Sequence, residues 1–229
     1  MKKITSLALL ITLVAMTGFM VLEPQSVRSA STSDTVNVSL SVSSEISISA
    51  PSDVNLSPAI SGISGGTATG EVTWTVRTND SSGFSMTLKE ADAAPALVGQ
   101  SHGDSFADYT EESAGVPDFD WSVADSTAEF GFTVEPETDG DAVQAFLDNG
   151  TDSCNTGSTQ TADKCWLGFD GTTEISIINR SSATDYTGED EVIKFRAQLY
   201  NADGVPDNDA GMLIEDTYQA TITATATTN

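Results

Sequence analysis

Val36, Val38, Leu40, Val42, Ile46 and Ile48 fall on one parity of the chain, and only Ser, Asn and Glu separate them. Successive side chains of a strand point to opposite faces, so residues 36–49 predict one strand, or two broken near Ser43-Ser44, with an apolar face. The alternation returns at Val72, Trp74 and Val76, and again at Phe84, Met86 and Leu88 after N-D-S-S-G. Two such runs around a short turn predict a hairpin. Further strands are expected at 119–123 (Phe119, Trp121 and Val123 inward), 129–134, 174–179, 191–200 and 217–227. The connections at 57–70, 99–117 and 135–141 are rich in Gly, Ser and Asp, and only 141–148 reads as a helical turn. The pattern predicts an all-β, antiparallel, immunoglobulin-like β-sandwich with a disulfide-clipped loop and at most one short helix.

The N-terminus changes where that sandwich is expected to work. Met1-Lys2-Lys3 is basic, the run from Ile4 to Leu22 is apolar, and Ser29-Ala30-Ser31 supplies small residues at its exit. This is the layout of a signal peptide over 1–31, leaving 32–229 as one β-sandwich domain, secreted to the extracellular surface of a bacterium. The same apolar run is long enough to serve as an anchor if it stays uncleaved.

Charge narrows the partners. The chain holds 34 acidic against 9 basic residues, a net charge of −25. Such a surface repels nucleic acid and anionic membrane, so neither is an expected partner; a cell-envelope component or another copy of the chain is. The two cysteines, Cys154 and Cys165, flank a run of turn formers. In an exported chain they predict a disulfide closing a short loop.

Candidate chemistry is sparse. In N-A-D-G-V-P-D-N-D-A, side-chain oxygens of Asn201, Asp203, Asp207 and Asp209 could circle one Ca²⁺ while Gly204 supplies the turn; the plainer reading is an acidic turn between strands. The stretch resembles half of a thrombospondin-type calcium repeat. A second acidic run carries Glu135, Glu137, Asp139 and Asp141 and reads as a solvated loop or a weak Ca²⁺ site. Calcium is thus the one cofactor in view. His102, the only histidine, lies near Ser105, but nothing around them forms an oxyanion hole or a nucleophile elbow, so no enzyme is expected. Trp74, Trp121 and Trp166 could form a sugar platform, although Trp74 and Trp121 carry the inward parity and Trp166 adjoins Cys165.

The segments S-E-I-S-I-S-A-P, T-W-T-V-R-T-N-D-S-S-G-F-S-M-T-L and D-T-Y-Q-A-T-I-T-A-T-A-T resemble small bacterial surface β-sandwiches of the WxL cell-wall-binding and spore coat protein U groups. The resemblance covers the two ends of the exported chain. It implies a surface-displayed sandwich, but Ala224-Thr225-Ala226 stands where a WxL closing strand carries its Trp-x-Leu, so no binding residue carries over. The expected function is a secreted, non-enzymatic structural, adhesion or wall-associated surface protein. Two alternatives stand beside it: a self-polymerising fibre or coat subunit whose segment 35–49 is a donor strand, and a carbohydrate-binding module.

Overall fold

A computed structural model describes residues 31–91, 93–202 and 212–229. The chain divides between Val42 and Ser43, and among the described residues every strand lies in the second unit, Ser43–Asn229. In chain order the strands are β1 (Ile46–Ile48), β2 (Gly66–Thr78), β3 (Phe84–Glu90), β4 (Leu97–Gly99), β5 (Ser105–Asp108), β6 (Thr127–Pro136), β7 (Ile175–Arg180), β8 (Glu189–Tyr200), β9 (Tyr218–Gln219) and β10 (Ile222–Thr228). They form a seven-stranded sheet in the order β1-β2-β8-β6-β5-β4-β9 and a three-stranded sheet in the order β10-β3-β7. All pairs are antiparallel except β5 with β6. The protein is an all-β sandwich, as the alternation predicts.

The core lies between the sheets and follows parity except in β7, where a register shift opposite Met86 and Thr87 lets the adjacent Ile177 and Ile178 both be buried. Val72 and Val76 of β2, Phe130, Phe132 and Val134 of β6, and Ile193, Phe195, Ala197 and Leu199 of β8 come from the large sheet. Phe84, Met86 and Leu88 of β3 with Ile177 and Ile178 of β7 come from the small one. Each such side chain contributes about 1.5–3 kcal/mol through the area it removes from water. A second cluster of Tyr109, Val123 and Trp166, with Trp121 against it, is separate from this core. In β6 every residue from Glu129 to Val134 is buried, so both faces of that strand are covered.

Three expectations need correction. The runs over β2 and β3 are not hairpin partners: β2 pairs with β1 and β8, β3 with β10 and β7. Their connection crosses from one sheet to the other, so each inward row faces the shared core from its own side. Gly83 in that connection has φ +83°, and a Cβ there would stand 2.1 Å from the Arg180 carbonyl oxygen, which excludes any side chain. Residues 119–123 form no strand: Phe119 packs against the main core, while Trp121 and Val123 join the second cluster. The closing run over 217–227 is two strands in different sheets, β9 beside β4 and β10 beside β3. Within 141–148 the expected helical turn is the single 3-10 turn Gln144–Phe146, and another, Asp139–Asp141, comes just before it.

The largest departure is at the start. Of the predicted 36–49 strand, only Ile46–Ile48 forms one, pairing with Thr78, Arg77 and Val76.

Candidate interaction surface

Residues 31–42 form neither strand nor helix, and the apolar row they carry is open to water. Val36 is 84 % exposed, Val38 91 %, Leu40 90 % and Val42 80 %. Isolated exposed hydrophobes are ordinary, but four on one parity have the spacing of one face of a strand. The chain is held firmly just beyond this row. The Asn79 side chain donates to the Ser43 carbonyl (2.9 Å) and accepts from the Glu45 amide (2.7 Å), pairing with the backbone as a neighbouring strand would. Thr78 Oγ1 donates to the Glu45 carbonyl (2.8 Å), and Ser44 Oγ donates to Asp80 (2.8 Å). Amide and hydroxyl donors from Ser82 and Ser44 hold the Asp80 carboxyl below its usual range.

A sheet edge is open at the other end of the chain. β10 borders the small sheet and pairs only with β3. Its inward row, Ile222, Ala224 and Ala226, packs against the core yet stays half-buried, whereas Phe84, Met86 and Leu88 of the adjoining β3 are fully buried. β10 is the edge strand of its sheet, and two of the residues in its inward row are alanines, whose methyl groups bury little area. The hydrogen-bond phase is fixed at both ends, since Ala91 donates to the Thr221 carbonyl (2.8 Å) and Asn229 donates to that of Gly83 (3.2 Å). Odd-numbered residues of β10 therefore bond β3, and the amides and carbonyls of Ile222, Ala224, Ala226 and Thr228 point outward.

No family model matches this chain, and no curated protein matches it.

The residues singled out by sequence are otherwise engaged in structure. Cys154 and Cys165 form the expected disulfide, Cα atoms 5.6 Å apart, and both are buried in the main core. Of the candidate calcium ligands, Asn201 is buried and donates its side-chain amide to the Ile63 carbonyl. Asp203, Asp207 and Asp209 lie outside the described residues. In the second acidic run Glu135 pairs with Lys194 (2.9 Å), Glu137 accepts from the Asp190 amide (3.2 Å), and Asp141 pairs with Arg180. Among the described residues no three His, Cys, Asp or Glu side chains converge as metal ligands.

The tryptophans turn their faces inward. Trp121 stacks on Tyr109 (4.2 Å), meets Trp166 edge-on (5.3 Å), and has the Arg196 guanidinium 5.1 Å from its ring. Trp74 packs half-buried against the main core. His102 lies beside Asp216 rather than Ser105, with its Nδ1 3.5 Å from Asp216 Oδ2. That carboxylate accepts the amides of Ser101 (2.7 Å) and His102 (2.9 Å), which, with Ser101 first, hold its pKa down to about 2. The group ties a loop together.

Sequence reading passed over Glu191, which is 1 % exposed. Burial pushes its pKa up to about 8, Asp141 and Glu189 push the same way, and Arg180 opposes them. Arg180 bridges Asp141 and Glu189 (2.9 Å to the latter), so the cluster is already neutralised in part. The signal was available in parity, because Glu191 falls in line with Ile193, Phe195, Ala197 and Leu199.

Proposed function

We propose that this protein is a secreted, non-enzymatic structural component of a bacterial cell surface that works by joining copies of itself, the N-terminal segment serving as the joining strand. The exposed row Val36, Val38, Leu40 and Val42 carries this reading. An apolar strand face left in water is unfavourable, and burying it against a sheet edge recovers both its area and its backbone hydrogen bonds. The leader-like N-terminus, the acidic surface and the disulfide support placement outside the cell. Adhesion or wall association remains compatible with the same architecture, since the loops are left for a cell-envelope partner.

The test is light-scattering mass over a concentration series for the exported chain and for the V38D/L40D double variant. The expected result is a mass that rises with concentration for the unaltered chain and a monomer with unchanged melting temperature for the variant. An unaltered chain that stays monomeric at every concentration would retire the reading.

A further inference from the structure

We infer that the surface receiving the joining strand is the outer edge of β10, Ile222–Thr228, on a second copy of this chain. This rests on the proposed self-association and adds where it occurs. Three features meet at that edge. Its outward amides and carbonyls alternate in the order an added strand needs. Its inward row of Ile222, Ala224 and Ala226 packs against the core yet stays only half-buried. Val36, Val38, Leu40 and Val42, on the same two-residue period, are the right shape to lie against that row.

Charge selects the same pair. Copies of a chain with net charge −25 repel over most of their surfaces. Residues 35–44 and 217–229 contain no charged side chain, so this strand and this edge can approach without that penalty. Natural edge strands commonly carry a charge or proline that blocks pairing, and β10, I-T-A-T-A-T-T, carries neither. The neighbouring β1 is short and pairs only with the end of β2, so it does not cap β10 as a strand.

Phase permits a selective test. Ala224 directs its amide outward, so A224P removes a donor from the open edge and none from the β3 ladder, while proline's demand for an extended preceding residue suits a strand. T225P, one position on, removes a donor to Thr87 and is expected to lower the melting temperature. With the full exported chain, A224P should melt as the unaltered protein does and stay monomeric at concentrations where the unaltered protein assembles. A folded A224P that assembles as well as the unaltered chain would overturn β10 as the receiving edge and leave the joining strand standing. No assembly by the unaltered chain would remove both.

A second measurement does not depend on A224P folding. A peptide copying residues 35–44 is added to the unaltered chain and followed by amide NMR. Binding that moves the amides of Ile222, Ala224, Ala226 and Thr228 supports the inference. Binding that leaves those four in place assigns the strand to another edge, and absence of binding at concentrations well above those of assembly counts against the joining strand itself.

Discussion

Val72 and Val76 alternate with Thr, Glu and Trp-flanked polar positions much as Val36 to Val42 alternate with Asn and Ser, yet the two rows meet opposite fates. Val76 is fully buried, whereas Leu40 is 90 % exposed. The difference lies in what each backbone pairs with. β2 hydrogen-bonds to β8 along most of its length and lines the main core; residues 36–42 belong to no strand. Alternation therefore states that a segment is able to be a half-buried strand. Whether it becomes one depends on an available edge, and the edge proposed above is β10 of another molecule.

Breaking the buried row should cost the most. V76D places an unpaired charge in the core and is expected to destabilise by more than about 4 kcal/mol, leaving the chain unfolded by circular dichroism at ambient temperature. F132A, on β6 of the same sheet, leaves a cavity beside Phe146 and Phe169 and should cost about 3–5 kcal/mol in urea unfolding. Replacing both cysteines with serine should cost about 3 kcal/mol, because an 11-residue separation closes a short loop, and the loss should vanish when the unaltered protein is compared under reducing conditions.

Glu191 sharpens the comparison differently, since it keeps the inward parity of its strand despite its charge. Its folded pKa of about 8 lies above the ordinary value of 4.5. The folded state therefore holds a proton that the unfolded chain gives up, and this contribution is complete below about pH 4.5 and lost as pH rises through about 8. E191Q should remove that fall and melt higher than the unaltered protein at pH 9, by on the order of 2 kcal/mol. Equal melting curves at pH 9 would place the carboxyl in contact with water. The smallest effect is expected at the exposed row: L40D should alter unfolding of the sandwich by less than about 0.5 kcal/mol, although the same change in β2 would be severe.

Strand identity was legible wherever one face is buried by the chain itself. Phe130, Phe132 and Val134, and the row from Ile193 to Leu199, sit inward as their parity predicts. Sheet membership was not legible, because a short turn such as N-D-S-S-G joins strands within a sheet or across two, and nothing in the alternation distinguishes them. β4 and β5 were missed since each is only a few residues long, below the length at which a period can be read. Trp121 was assigned to the main core by parity, but the outer side of the large sheet has its own aromatic layer, which a two-sided rule does not anticipate. The disulfide was legible from two cysteines around a turn-rich loop. The apolar row from Val36 to Val42 was legible as a pattern, and the edge position of β10 was not, because an edge exists only once the sheets are assembled.

The central claim is that the row from Val36 to Val42 is open in one molecule and buried between two. Residue-resolved hydrogen exchange of the exported chain, read at Val38 and Leu40 against Val72 and Val76, tests it most directly. The account predicts that Val72 and Val76 exchange slowly at every concentration, while Val38 and Leu40 exchange at nearly the free-peptide rate when dilute and at least about tenfold more slowly once the chain is concentrated. Slow exchange at Val38 and Leu40 at the highest dilution would mean that the strand completes its own sheet, and fast exchange at all concentrations would mean that it completes none; either result contradicts the account.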